Sequence, residues 1–327
     1  MASKKTLLEI LNASDKCFLV PCVYDCASQH AMEMCGFPVT LLSGGEVSLT
    51  HNGCIDYGFT NLTDLENVVA RVSQTSSIPL IADIEDGFGG TLAVYRSAKI
   101  LSRAGAAAVQ LEDSADMEDS TKILPREKYM AKVRAALDAL KGSDCLLIAR
   151  TNADPFDPEQ MKEGCERLQE AIEIGKAQGQ YVLAMMVLVV DLEHAKEMAK
   201  IVTGPKIFAD VRSVKGPDGV YRTAVRMEDL TPLGFKMCSC HFTLKAAMEG
   251  MLTHGMENLK NQSVAYTFAT APATGVEGDS ASPLWAPQDY LALENRFTHG
   301  EKVYTIVGHD VEAYPEKFCR PDISERL

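Results

Sequence analysis

Several features are missing from these 327 residues, and each absence removes a class of function. No apolar run approaches the length needed to span a bilayer. The most apolar stretch, Tyr181 to Val190, is about as long as one buried strand. The opening segment, MASKKTLLEILNASDK, lacks the continuous apolar core of a signal peptide and reads as an amphipathic helix with polar interruptions. No basic stripe is present either. Lys and Arg total 32 against 45 Asp and Glu, and the acids are spread along the chain rather than gathered in a tail. A nucleic-acid partner needs the opposite balance. Repeats of solenoid period and long linkers are absent as well. Ten cysteines in such a chain read as reduced thiols rather than a disulfide framework. The expected class is a cytoplasmic enzyme with no membrane or nucleic-acid partner.

What is present is a regular alternation. Short runs rich in Val, Ile and Leu predict strands over Phe18–Val23, Val39–Leu42, Leu80–Ile84, Ala107–Leu111, Cys145–Ala149, Tyr181–Met186, Lys206–Val211 and Phe235–Ser239. Helical patterns follow them at Ala27–Cys35, Leu62–Gln74, Leu92–Ala104, Arg126–Leu140, Pro158–Ala177, Leu192–Ile201, Met227–Leu233 and Phe242–His254. Strand-then-helix repetition implies parallel strands joined by crossover helices. Eight such units are the number that closes a (β/α)8 TIM barrel, an α/β fold, although an open doubly wound sheet shares the local pattern. Gly36, Gly105, Gly175, Gly179, Gly204 and Gly234 fall where helix C-termini want a left-handed residue, and Thr63 before Asp64-Leu65-Glu66 has capping-box spacing. The barrel is expected to occupy residues 1–260. From 261 to 327 the rhythm breaks. That extension, with a helix at Pro287–Phe297, is expected to pack on the barrel or on a neighbouring subunit.

Active sites of such barrels lie where strands end and the following loops begin. Those positions hold Tyr24-Asp25, Ser43-Gly44-Gly45, Asp83-Ile84-Glu85-Asp86 before Gly87-Phe88-Gly89-Gly90, Glu112-Asp113 and Arg150-Thr151-Asn152. Asp83 and Glu85 are two apart, so a straight strand presents both on one face, and Glu112 joins them from the next strand. Such an oxygen-rich cluster suits Mg2+, or Mn2+, which takes carboxylates, retained waters and substrate oxygens. The alternative is that these acids cap helices or pair with Arg150. Arg150 can grip a carboxylate with two parallel bonds, and Gly44 and Gly45 let backbone N–H groups approach an anion.

These stretches, VPCVYDCASQHAMEMCGF, LLSGGEVSLT, LIADIEDGFGG, AGAAAVQLEDS and LLIARTNAD, in that order, resemble the isocitrate lyase/phosphoenolpyruvate mutase superfamily. The match runs from about residue 18 to 155, with weaker similarity of pattern to about 255. The resemblance implies a Mg2+-dependent barrel acting on small 2-oxo or 2-hydroxy acids through an enolate-like species, and a homodimer or homotetramer with exchange of C-terminal helices. It implies Asp83 as direct metal ligand, with Glu85 and Glu112 holding metal-bound water. Tyr24, Ser43, Gly44, Gly45, Arg150 and Asn152 would hold the substrate carboxylate, and Asp56 falls where some members place an active-site acid.

The departures from the family narrow the chemistry. Family lyases carry a Lys-Arg-Cys-Gly-His loop after the strand-four acids, whereas SADMEDSTKILPREKY here has neither Cys nor His. The phosphonate-processing branch has Lys where this chain has Ser114. Glu46 replaces a residue that is often small or apolar, and strand six, LAMMVLVV, lacks the expected acid. What remains resembles the decarboxylase-like members, since loss of CO2 needs mainly an electron sink. Thr121 or Lys122 could return a proton, though a solvated loop is the blander reading. A carbon–carbon lyase or decarboxylase of a small dicarboxylate is therefore expected. The alternatives are a phosphonopyruvate hydrolase or mutase and a non-catalytic metabolite-binding barrel. Cys22, Cys26, Cys238, Cys240 and His241 lie on neighbouring strands, but C-x-C-H is not a usual zinc spacing and buried thiols are common in cores. His241 can instead line the substrate pocket, and His51 falls in the loop after strand two. His30, His194 and His254 are expected exposed on helices, and the methionines at 32–34 and 248–251 to be packing surfaces.

Overall fold

The computed structural model describes residues 5–115, 122–211, 213–263, 282–285 and 287–298. Most of the 261–327 extension and Thr121 lie outside these residues.

Eight parallel strands close into a barrel: β1 (Phe18–Val23), β2 (Thr40–Leu42), β3 (Leu80–Asp83), β4 (Ala108–Glu112), β5 (Leu146–Thr151), β6 (Val182–Met186), β7 (Lys206–Phe208) and β10 (Phe235–Cys240). Around the ring the order is β1, β10, β7, β6, β5, β4, β3, β2, so each strand neighbours the next in sequence and the ring shuts between β10 and β1. Closure excludes the open doubly wound sheet. The helices are α1 (Leu7–Ala13), α2 (Cys26–Met34), α3 (Gly44–Val47), α4 (Leu62–Gln74), α5 (Thr91–Ala104), α6 (Arg126–Leu140), α7 (Pro158–Ala177), α8 (Leu192–Ile201), α9 (Met227–Leu230), α10 (Thr243–Asn261) and α11 (Pro287–Thr298).

Period-two alternation sorts side chains between two cores. Leu80, Ala82, Val109, Leu111, Leu147 and Ala149 pack outward beneath the helices. Ile81, Ala108, Leu146, Ile148, Leu183 and Met237 fill the interior, where Leu7 and Leu11 of α1 join them. The amphipathic segment read at the N-terminus is thus the short helix α1. Its capping box has Glu9 N donating to Thr6 Oγ1 (3.2 Å) and Thr6 N donating to Glu9 Oε2 (2.8 Å).

Four helices, α4, α6, α7 and α8, match their sequence-predicted bounds, while other details differ for local reasons. The N-cap of α4 is Asn61, whose side chain accepts from Thr63 N and Asp64 N, rather than Thr63. Of the six helix-end glycines, Gly175 and Gly204 lack positive φ; a Cβ there would collide with Val182 and Ile172, so close packing selects glycine. Strand β7 stops at Phe208, and an exposed antiparallel hairpin, β8 (Ser213–Lys215) and β9 (Tyr221–Thr223), follows around a Gly-Pro-Asp-Gly turn. His30 is buried at 5% exposure rather than exposed: its ring stacks on Trp285 with centroids 4.2 Å apart. Met32 and Met34 are buried, whereas Met248 and Met251 are exposed.

Candidate active site at the barrel mouth

The alternation that fills the barrel with aliphatic residues changes chemistry at the C-terminal ends of β3, β4 and β5. On β3, Ile81 is followed two residues later by Asp83; on β4, Ala108 leads to Gln110 and Glu112; on β5, Leu146 and Ile148 lead to Arg150 and Asn152. Strand register sets Asp83 beside Gln110 and Glu112 beside Arg150. Asp83, Glu85, Glu112 and Asn152 are all buried at 7% exposure or less.

Arg150 is the hub. Its Nη1 donates to Asp83 Oδ2 at 3.0 Å, its Nη2 lies 2.8 Å from Glu112 Oε2, and its Nε donates to Asn152 Oδ1 at 3.3 Å. Asn152 Nδ2 also donates to Glu112 Oε2 (3.3 Å). Both readings of the acids thus meet in one place: Asp83 and Glu112 pair with Arg150, and they also converge with Glu85 on the mouth. Burial opposes the charge on Arg150, but Glu112, Asp83, Glu85 and Asp56 outweigh it and strengthen its hold on the proton. One guanidinium does not neutralise four carboxyls. Burial pushes Glu85 well above the usual carboxylate range, with Asp83 and Glu112 adding to the effect. Glu112 and Asp56 are also raised, first by burial, with Arg150 pulling the other way.

The two glycines after Ser43 have a specific steric reason. A Cβ on Gly44 would overlap Glu85 Oε1, and one on Gly45 would sit 2.8 Å from Asp56 Oδ2. These glycines therefore let the two carboxyls close over α3. The glycine-rich loop after β3 has a different task. Glu85, Gly87, Phe88 and Gly89 all take positive φ, which turns the chain sharply at the strand end. Lys132 fastens the turn by donating to Asp86 O (2.7 Å) and Oδ2 (3.0 Å).

Whether the cluster fits a divalent cation can be judged from its donors. Three carboxyls from adjacent strand ends outnumber the one guanidinium beside them, and Gln110 Oε1 is buried there with no partner among the described residues. The donors are hard oxygens, which suits Mg2+. Among the described residues, no group of three His, Cys, Asp or Glu side chains is already gathered around one point. The fit is therefore one of donor chemistry and of carboxyls in excess of guanidinium, with Arg150 bridging two of the carboxyls.

Sequence reasoning missed the supports behind this layer. Asp113 is fully buried; it accepts from Asn152 N (2.9 Å) and Arg167 Nη1 (2.6 Å), and Thr151 Oγ1 also donates to it. Tyr129, fully buried on α6, donates through its hydroxyl and lies 2.9 Å from both Leu111 O and Arg150 O. The Glu-Asp pair at the end of β4 was a usable signal for Asp113. Nothing local announced Arg167 or Tyr129.

The remaining candidates divide. Tyr24 and Ser43 lie at the ends of β1 and β2; Ser43 is buried and caps α3 by accepting from Glu46 N (3.3 Å). His241 directly follows β10 with its side chain about half open to solvent, between Cys22 and Glu46. Lys122 is exposed, its carbonyl accepting from Ala115 N (2.7 Å), and Ser114 is buried in a bridge to Ile123. The cysteines do not share one face: Cys22 belongs to the interior core and Cys238 to the outer one. His51 is turned toward Asp64 (3.9 Å).

Many known proteins are similar to this chain in sequence or in fold. An oxaloacetate decarboxylase of Pseudomonas fluorescens is 28% identical over 281 residues, which cover 82% of this chain and 91% of that one. One from Pseudomonas putida is 32% identical over 199 residues, covering 60% of this chain and 66% of its own length. Among solved structures, oxaloacetate acetylhydrolase superposes with a TM-score of 0.74 at 22% identity, covering 90% of this chain and 98% of that one. A 2,3-dimethylmalate lyase of the PEP mutase/isocitrate lyase superfamily gives 0.65 at 26% identity, covering 77% and 85%. Phosphonopyruvate hydrolase, solved with oxalate and Mg2+, gives 0.63 at 21% identity, covering 81% and 90%. Residues 7–259 match the family model described as phosphoenolpyruvate phosphomutase, and the chain belongs to that family.

Proposed function

We propose that this chain is a Mg2+-dependent carbon–carbon lyase whose reaction is the decarboxylation of a small 2-oxo dicarboxylate of the oxaloacetate type. The observation that carries the reading is the buried excess of carboxyls around the single guanidinium of Arg150. Asp83 would hold the ion directly, and Glu85 and Glu112 through water. When bound, Mg2+ supplies the electron sink for the negative charge that develops on the substrate oxygen.

The chain's own residues then bind and orient. Arg150 and Asn152 grip a substrate carboxylate, with Ser43, Gly44 and Gly45 on the other side of the mouth. Tyr24, Asp56 and His241 close the rim. Tyr129 and Asp113 hold the backbone at Arg150 and Asn152, so the fork keeps its aim. A decarboxylase suits the short loop after β4. Departing CO2 needs no proton, so the absence of Cys and His from residues 114–124 costs the reaction nothing at the bond-breaking step. The β6 side agrees, with apolar Met185 opposite Arg150 in register. Thr121 and Lys122, in that loop, remain the candidates for returning the proton to carbon.

We also infer a homo-oligomer in a reducing compartment such as the cytoplasm. Met248, Met251, Leu252, Met256 and Leu259 are exposed on α10, an apolar surface suited to a second copy. None of the nine described cysteines is in a disulfide, and no helix of the described residues is long and apolar enough to cross a membrane.

The test is turnover of oxaloacetate with Mg2+, followed by NMR appearance of pyruvate, against an enzyme-free control because the ion alone decarboxylates oxaloacetate slowly. 2,3-Dimethylmalate and phosphonopyruvate complete the panel. Product formation abolished by EDTA is the expected result. Thermal stabilisation by a dicarboxylate with no product from any of the three would replace the enzyme by a metabolite-binding barrel.

A further inference from the structure

Across the ring from Arg150 lies a second polar unit, of which the proposed chemistry uses only His241, and that only as part of the rim. It is built from three elements. His241 directly follows β10, Cys22 lies on β1, and Glu46 stands on α3. The ring Nδ1 is 3.6 Å from Glu46 Oε1, and Nε2 is 3.3 Å from Cys22 Sγ. Glu46 is 12% exposed and Cys22 fully buried, whereas His241 keeps 45% of its side chain open to the mouth. The second carboxyl oxygen, Glu46 Oε2, is buried with no hydrogen-bond partner among the described residues.

We propose that Glu46 is a positioning residue for His241: its carboxylate keeps a proton on Nδ1 and holds the imidazole charged, giving the mouth a second, titratable cation opposite Arg150. At 3.6 Å the Glu46 contact is an ion pair rather than a tight hydrogen bond, so charge does more than direction here. Cys22 completes the unit because a thiol is a weak donor and a weak acceptor. It can donate to Nε2 of the neutral ring or accept from Nε2–H of the charged one, so neither protonation state leaves the buried sulfur in conflict. The thiol itself stays protonated, since burial, then Glu46 and Cys240, push it well above its ordinary range.

The groups around the ring all act in one sense except burial. Glu46 from α3 raises the His241 pKa, burial lowers it, and Asp210 after β7 and Asp83 at the end of β3 raise it further. Cys22 and Cys240, the thiols on β1 and on its own strand, are neutral. A ring charged near neutral pH would meet the carboxylate of a dicarboxylate that Arg150 does not hold. This last step rests on the proposed function; the Glu46–His241 coupling does not.

The experiment is an NMR titration of the His241 ring in the whole protein, assigned with His241→Asn and repeated in Glu46→Gln and Glu46→Asp. The wild-type midpoint is expected above 6.5, the ordinary value. Glu46→Gln should lower it by about one pH unit, and Glu46→Asp should restore most of it. If the protein turns over oxaloacetate, the alkaline limb of kcat/KM should move by the same amount, with the loss in KM rather than kcat. A wild-type midpoint at or below 6.5 overturns the proposal even if Glu46→Gln does not fold, as does a midpoint unmoved by Glu46→Gln. Because the NMR readout needs no substrate, a midpoint that shifts in a protein with no turnover would retain the positioning role and remove only the decarboxylase reading.

Discussion

The two ends of this barrel are made from the same eight strands and have opposite chemistry. At the closed end, Ile81, Ala108, Leu146 and Leu183 meet Leu7 and Leu11 of α1, and water is excluded. At the open end, the next inward positions are Asp83, Gln110 and Glu112, buried yet charged or polar, and the partly buried Arg150. Burying apolar area is favourable at about 25 cal/mol per Å2, whereas burying unbalanced carboxyls is unfavourable. One end therefore supplies stability, and the other spends part of it to hold a reactive arrangement. If that division is real, substitutions at the two ends should affect different observables.

The largest effect should come from the open end. Asp83→Ala is expected to reduce Mg2+-dependent turnover by about 10^3-fold or more, equivalent to roughly 4 kcal/mol. Its melting temperature without metal should fall little or rise, because a buried charge is removed while Arg150 keeps Glu112. Calorimetry and kinetics on one preparation check both, and retained turnover would remove Asp83 as principal ligand. At the closed end, Leu11→Ala should do the reverse. Leu11 is 1% exposed, and its truncation should cost about 3 kcal/mol in denaturant unfolding. Its kcat/KM should stay near wild type; a parallel loss of activity would mean that the two ends are mechanically coupled.

A smaller effect tests a buried cation near the closed end. Lys206 begins β7 at 2% exposure, donating to Val202 O (2.9 Å) and Gly204 O (3.0 Å), and burial lowers its pKa from 10.5 to about 8. The folded protein therefore gives up this proton before the unfolded chain does. Stability from this site is fully present above about pH 10.5 and is lost as pH falls through about 8, a span on the order of 2–3 kcal/mol. Relative to Lys206→Met, the wild type should gain stability between pH 8 and 10. Parallel stability curves for the two proteins would mean that Lys206 is not desolvated.

The eight strand–helix units were legible in the sequence, as were the acids and the arginine at the strand ends, while the choice of a closed barrel over an open sheet came only with the pairing of β10 and β1. Strand-helix alternation predicted eight units, and Asp83, Glu112 and Arg150 could be read off because each lies where a strand ends and an inward position falls due; Glu85 lies beyond the end of β3 with φ of 51°, so the turn rather than a straight strand places it beside them. Local chemistry was enough there, since period two and strand order are properties of the chain. Tertiary structure decided what depends on distant neighbours. It assigned the N-cap of α4 to Asn61, buried His30 under Trp285, and gave Gly44 and Gly45 a steric reason of their own, room for the Glu85 and Asp56 carboxyls. It also set Arg167 and Tyr129 behind the site and brought Cys22, Glu46 and His241 together from positions up to 219 residues apart. Those contacts arise only when β10 pairs with β1, and no local pattern encodes the pairing that closes a ring.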